Sequence, residues 1–148
     1  MTRLTGGCQC GAVRFTVTGD LGRASICHCR MCQKAFGAFY GPLVAAPLMA
    51  WTRGAPAYFQ SSNRARRGFC RDCGTPLTFE PDDGPVELAI GAFDDPARVP
   101  PVIQHSIETR LHWLSKLDRL PVRSPAEARQ VAPYYASIRS FQHPDRDT

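Results

Sequence analysis

Three thiols fall within six residues in the stretch Cys27-His28-Cys29-Arg30-Met31-Cys32. Read as a strand end, Cys27 and Cys29 point to one face, because side chains alternate with period two. A turn after them brings Cys32 back towards the pair. Three sulfurs then converge on one tetrahedral metal and leave one position over. Structural zinc sites are closed by four protein ligands, whereas catalytic ones keep a place for water or substrate. A local trio therefore predicts a working site. Free cysteine is also among the most buried residue types. Three packed thiols are thus the alternative, weakened by the metal-type spacings elsewhere in the chain.

The other four cysteines form two clamps, Cys8-Gln9-Cys10 and Cys70-Arg71-Asp72-Cys73, about sixty residues apart. Glycines beside the first clamp let the backbone fold tightly around a metal. In the second, turn N–H groups point at the sulfurs and offset their charge. Joined, the clamps make a closed four-cysteine site that pins the first strand to the hairpin at Cys70. Structural zinc supplies ~10–16 kcal/mol of apparent binding energy, comparable to the stability of a whole domain. The clamps are too far apart for a zinc ribbon, where roughly 15–20 residues separate them. The clamp at Cys8 could instead pair with Cys27 and Cys29. A split into four and three uses every thiol and leaves the local trio intact. An iron–sulfur cluster is a further alternative, although C-x-C-x2-C is not the ferredoxin run.

The elements that must carry these thiols come from a chain of 148 residues, which suits one domain with a real core. Seven cysteines is an odd number, and the first residues carry no apolar signal-peptide core. No apolar run is long enough to span a bilayer. Together these predict a reducing cytoplasm, metal-bound thiolates and no membrane partner. The formal charge of +5, from 18 basic and 13 acidic residues, invites a nucleic-acid reading. Metal-bound thiolates would cut it to about +2, which disfavours that reading. The bases are scattered except around Asn63-Arg64-Ala65-Arg66-Arg67, expected to be a solvated loop.

Val13, Phe15 and Val17 alternate with Arg14 and Thr16 as a strand, closed by a turn at Gly19-Asp20. Met31 to Phe36 is expected as a helical turn ended by Gly37. Ala38 to Ala45 reads as a strand with an irregularity at Gly41-Pro42. Pro47 to Trp51 is expected as a short turn or helix, and Tyr58-Phe59 as a short strand. Leu77 and Phe79 begin a strand leaving the second clamp, and Pro81 to Pro85 is a hairpin-type loop. Val86, Leu88 and Ile90 alternate as another strand, and Ile103 to Thr109 form a further one. Ser124-Pro125-Ala126-Glu127 is a capping box with proline at the first helical position. Pro133 predicts a break near Ala132, then a second helical piece to about Arg139. Residues from Gln142 onward are polar and expected to be loose.

Three segments occur in order: Gly7-Cys8-Gln9-Cys10-Gly11 through Phe15, Cys27-His28-Cys29 through Phe39, and Phe69-Cys70-Arg71-Asp72-Cys73-Gly74 through Leu77. Their cysteine layout resembles that of the glutathione-dependent formaldehyde-activating (GFA) enzymes and their centromere-protein-V relatives, over roughly residues 5 to 115. The resemblance implies an all-β "β-tent" of small antiparallel sheets around zinc. It implies one zinc closed by Cys8, Cys10, Cys70 and Cys73, and a second held by Cys27, Cys29 and Cys32 with a position open. Residues 1–120 would be the zinc-binding β domain. Residues 121–148 would be an extension with a broken helix, covering a sheet or forming a contact between subunits.

The implied reaction joins glutathione to formaldehyde, giving S-(hydroxymethyl)glutathione; a different small thiol or aldehyde is compatible with the same residues. Arg30 or Lys34 could bind a glutathione carboxylate, or both could be plain surface charges. The rival reading is a zinc-stabilised binding module or glutathione carrier without turnover. His28, lying between two ligands, is expected to pack behind them. Trp51 and Trp113 are expected in the core. Aligned on Trp113, the family's usual histidine position holds Gln104, with His105 one place away. A one-residue shift in a strand faces the opposite side, so His105 is expected to face away from the family's site, as a core histidine or an acid or base.

Overall fold

The computed structural model describes residues 3–148. Ten strands form two sheets, as the all-β expectation requires. In chain order they are β1 (Arg3–Gly7), β2 (Arg14–Thr18), β3 (Ala24–Cys27), β4 (Gly41–Ala45), β5 (Met49–Arg53), β6 (Ala57–Ser62), β7 (Ala65–Phe69), β8 (Pro76–Pro81), β9 (Glu87–Ala89) and β10 (Ile103–His105). The small sheet has the order β1-β2-β5, and the large one β10-β3-β4-β9-β8-β7-β6. Every pairing is antiparallel except β10 with β3. Helix α1 (Arg30–Phe36) follows β3, and helix α2 (Pro125–Ser137) lies near the C-terminal end.

The core sits where the small sheet closes on the large one. Phe15 and Val17 alternate to one face of β2 and are almost fully buried. Phe15 stacks edge-on to Phe93 (5.2 Å between centroids) and to Trp51 (6.2 Å). Leu77 and Leu88 fill the other side of the same core. The small sheet is also tied to the segment after β9 by a buried ion pair. Arg14 on β2 donates two hydrogen bonds to Asp94, at 2.8 and 2.6 Å, and Thr5 on β1 donates a third at 2.6 Å. Two charged groups taken out of water need such saturation, because an unpaired buried charge is costly.

Several elements depart from the expectations above. Met49–Arg53 is a strand, not a turn or helix. Pro47 and Leu48 make the expected turn, and beyond it Met49 and Trp51 meet Val17 and Phe15 across the register. Of the arginine run, only Asn63 and Arg64 form an exposed turn, because Ala65–Phe69 is an inner strand between β6 and β8. Arg66 faces outward, pairs with Glu80 at 2.7 Å and stacks on Tyr58, whereas Ala65 and Arg67 face inward and are buried. Strand β9 ends at Ala89, and Ile90 starts a 3-10 turn. Strand β10 ends at His105, because Ser106 takes a left-handed backbone (φ 55°) into a second 3-10 turn.

Helix α2 opens on the expected capping box at Ser124 but runs unbroken through Pro133 to Ser137. Proline there removes one backbone bond, and the good helix formers around it carry the helix past the loss. The last residues are not loose. The His143 N–H donates to the Gln9 carbonyl at 2.7 Å. Arg14 holds the Arg146 carbonyl at 2.9 Å, Arg53 holds the main-chain oxygen of Thr148 at 2.7 Å, and Arg3 pairs with Asp147. Charged side chains of the small sheet thus strap the terminal segment over the first cysteine clamp.

Burial alone would raise the Asp94 carboxyl, but the Arg14 guanidinium and the Thr5 hydroxyl outweigh it and lower its pKa. A carboxylate depressed in this way adds stability above its unfolded value, ~3.9, and that stability disappears as pH falls through the folded value. Asp94→Ala leaves Arg14 buried and unpaired, and should cost about 3–5 kcal/mol in urea unfolding at pH 7. The difference between variant and wild type should shrink below about pH 4. A cost that is the same at pH 3 and pH 7 would show that the ion pair is not its source.

Candidate metal centres

The first clamp sits between β1 and β2. There the Cys8 N–H donates to the Val13 carbonyl at 2.9 Å, and the Val13 N–H donates to Cys8 Sγ at 3.2 Å. The second is the turn between β7 and β8, where Gly74 takes φ 77° so that its N–H closes onto the Cys70 carbonyl at 2.8 Å. A side chain is disfavoured in that left-handed region, which accounts for the glycine. The Gln9 N–H donates to Thr75 Oγ1 at 2.9 Å and locks the two clamps together. All four sulfurs lie within 4.8 Å of one another. Cys8–Cys10 is 3.6 Å and Cys10–Cys70 is 3.8 Å. Zinc–sulfur bonds of ~2.3 Å at tetrahedral angles put ligand sulfurs about 3.8 Å apart. The donor set therefore suits a tetrahedral, thiolate-loving ion.

The trio is built at the end of β3. Cys27 closes that strand. Cys29 caps α1, its sulfur accepting from the Cys32 N–H at 3.4 Å. Cys32 sits on the buried face of α1, which Gly37 (φ 57°) ends as expected. A Cβ on Gly41 would stand 2.9 Å from the Cys32 Cβ, so glycine in β4 lets the helix lie against the sheet. The three sulfurs are likewise within 4.8 Å of each other. Cys27 and Cys29 are half-buried, and Cys32 is buried. No eighth thiol and no imidazole or carboxylate joins either group among the described residues.

His28 is fully buried behind the trio. Its Nε2 meets Gln104 Oε1 at 2.9 Å, and its ring stands edge-on to Tyr40. Its carbonyl accepts from Gln33 Nε2 (2.7 Å) and Thr109 Oγ1 (2.9 Å), and its N–H donates to the His105 carbonyl at 3.0 Å. These bonds fix the backbone between Cys27 and Cys29. Gln104 thus points behind the site. The parallel register sets His105 beside Cys27, on the sulfur side, and His105 is exposed. The expectation that His105 faces away from the site, or packs in the core, is therefore corrected. Trp51 packs against the core as expected, whereas Trp113 meets Phe39 edge-on at 4.8 Å.

Residues that sequence reasoning passed over complete the surroundings. Arg67 Nη2 donates to Cys32 Sγ at 3.3 Å. Ser106 Oγ is 3.8 Å from Cys27 Sγ. Ser106 is the one non-glycine with positive φ among the described residues, and such strain gathers at working sites. Buried Gln33 ties Arg30 to the His28 carbonyl. The alternation of Ala65, Arg67 and Phe69 was the signal that could have marked Arg67 as inward-facing. Nothing local marks Gln33 or Ser106. Arg30 and Lys34, on the outer side of α1, line a cavity of about 460 Å³ with Met31, Ala35, Phe59, Ser61 and Arg67.

Crowded sulfurs do not ionise uniformly on their own. Burial opposes the Cys73 thiolate, but the Thr75 hydroxyl and N–H and a contact with Cys10 bring that thiol down to about 6. The Ala12 N–H favours a Cys10 thiolate, yet desolvation and the neighbouring sulfurs push Cys10 up to about 12. Burial raises Cys32 to about 12 despite the Arg67 guanidinium. Burial also opposes a Cys29 thiolate, but the Cys32 N–H and its neighbours lower that thiol. A divalent cation deprotonates all of them, so each centre should lose its ion as protons compete on acidification. Cys70→Ser should unfold or aggregate the chain, because it opens the four-sulfur centre between two strand pairs. Cys29→Ser should leave it folded and short of one ion. Metal content with thermal melting tests both, and equal melting losses would contradict the division.

A family model described as "Glutathione-dependent formaldehyde-activating enzyme" matches residues 3–109. A Rhodobacter sphaeroides protein of known crystal structure has a TM-score of 0.52 with this chain at 23% identity, covering 68% of this chain and 98% of that one. At that identity the likeness concerns the fold. Both cysteine groups lie inside the matched region, which spans well over half the sequence. The chain belongs to the glutathione-dependent formaldehyde-activating enzyme family.

Proposed function

We propose that the protein joins the thiolate of glutathione, or of a related anionic thiol, to formaldehyde or another small aldehyde, forming a carbon–sulfur bond in the manner of an S-(hydroxymethyl)glutathione synthase. The observation that carries this reading is a trio of sulfurs with no fourth protein donor among the described residues, beside a cavity whose charged side chains are all cations. We place the reaction in the reducing cytoplasm, in keeping with seven unbridged thiols. No helix among the described residues is long and apolar enough to cross a membrane.

Cys8, Cys10, Cys70 and Cys73 would hold a structural zinc, and Cys27, Cys29 and Cys32 a second. A zinc ion in the trio would supply acidification of an incoming thiol, which free in water titrates near ~8.5. Arg30 and Lys34 take the carboxylates of the thiol, since neither has a carboxylate within ion-pair distance among the described residues. Met31, Ala35 and Phe59 supply an apolar wall for its chain. The sulfur lone pair forms the new bond to the aldehyde carbon, and the carbonyl π pair moves onto oxygen. That oxygen takes a proton from His105 or from the Ser106 hydroxyl, both on the Cys27 side of the sheet edge. A cavity of about 460 Å³ falls in the ~300–1,000 Å³ range of small-molecule sites.

Exchange NMR of carbon-labelled formaldehyde with glutathione measures the reaction directly. The zinc-loaded protein should raise the exchange rate above the spontaneous one, and Cys29→Ser should abolish the increase. Replacing Arg30 and Lys34 together by Ala should raise KM for glutathione about tenfold, on the order of 1.4 kcal/mol, and leave a neutral thiol unaffected. Glutathione binding without rate enhancement would replace the enzyme reading with that of a carrier.

A further inference from the structure

Arg67 is 8% exposed, and its guanidinium is held at three places. Nε donates to Ser61 Oγ at 3.0 Å, Nη2 donates to Cys32 Sγ at 3.3 Å, and Cζ lies 4.9 Å over the Phe79 ring. No carboxylate among the described residues reaches it within ion-pair distance. Glu87 shares its row of the sheet, through Phe79, but makes no ion pair with it. A buried cation needs a counter-charge, and the group in contact with this one is a sulfur of the trio. The same side chain also lines the cavity beside Arg30 and Lys34. It therefore touches both the place where metal would be held and the place where a ligand would enter.

Charge counting gives that position a consequence. Three thiolates around a divalent ion carry −1, and a fourth thiolate makes −2. Repulsion of that size in a partly desolvated site would favour a neutral donor over an anionic one. A fixed guanidinium brings the total back to −1. We propose that Arg67 is a positioning residue for the reaction, whose charge makes an anionic sulfur the favoured fourth partner of the trio. This rests on the trio accepting an incoming thiol, as argued above. Ser61 and Phe79 hold the guanidinium so that it needs no movement when the thiolate arrives.

Cobalt substitution at both centres provides the test. The four-cysteine centre already holds four sulfurs, so added thiol changes the sulfur-to-cobalt absorption only through the trio. In the wild type, glutathione should increase that absorption saturably. Arg67→Met should weaken glutathione binding by about 10–100-fold, the usual range for outer partners of a metal site. Imidazole, a neutral donor, should bind both proteins equally. Arg67→Lys should recover most of the glutathione affinity. The four-cysteine absorption reports folding, and if Arg67→Met fails to form it, Arg67→Gln takes its place. Equal glutathione affinities in wild type and Arg67→Met overturn the role of Arg67 alone. Equal losses of glutathione and imidazole overturn it too, by assigning Arg67 to packing. A wild type blind to glutathione overturns both this role and the thiol-binding reading beneath it.

Discussion

Mutual repulsion between sulfurs is the constraint on which the rest of this structure depends. Two groups of thiols, each with its sulfurs within 4.8 Å, are stable as thiolates only around a cation. The chain therefore builds its architecture in two currents. Short strands and glycine-rich turns carry the sulfurs into place, and N–H groups, hydroxyls and one guanidinium are aimed at them. The Val13 and Cys32 N–H groups, the Thr75 and Ser106 hydroxyls and the Arg67 side chain all lie against sulfur. None of these contacts is strong alone. Together they make each cluster a preformed receptor for a soft divalent ion.

The two centres are set in different surroundings. The four-sulfur group joins the turn at Val13 to the β7–β8 turn, and the terminal segment crosses over it. The His143 ring lies against Gly11, where an added Cβ would stand 2.3 Å from it. Cys8 and Cys70 are sealed in the core. The trio instead stands at the end of β3, an inner strand beside the edge strand β10. Its helix lies on one side, the exposed His105 on the other, and a cation-lined cavity opens next to Arg67. Four converging sulfurs suit a fastening role, while a trio with no fourth donor among the described residues suits exchange with a ligand.

Rigidity behind the trio comes from a polar network, not from apolar packing. Gln33 and Thr109 both donate to the His28 carbonyl, between two of the sulfurs, and Gln104 meets the His28 ring. The network leaves one buried atom, His28 Nδ1, without a hydrogen-bond partner. It ties β3, α1 and the segment after β10 into one support. The left-handed backbone at Ser106 ends β10 beside Cys27 and turns the chain into the 3-10 segment that carries Thr109.

The sequence by itself determined the local clamps, CxC, CxxC and the triplet, because each acts over a few bonds, whereas the fold decided that the clamp at Cys8 meets Cys70 and Cys73 and not Cys27 and Cys29. The sequence also determined the β character, the glycine stop of α1 at Gly37 and the capping box of α2, since alternation and caps act over a few residues. Only the tertiary structure decided the rest. Arg67 became a buried partner of sulfur because β7 lies between two other strands, a fact no local charge pattern contains. Met49–Arg53 became a strand because β2 offered a row of backbone partners. The side of the sheet on which His105 falls depended on pairing with β3, where a single step in register exchanges the two faces. The terminal segment found order through arginines more than ninety residues away in sequence, and contacts at such separation leave no periodic trace along the chain.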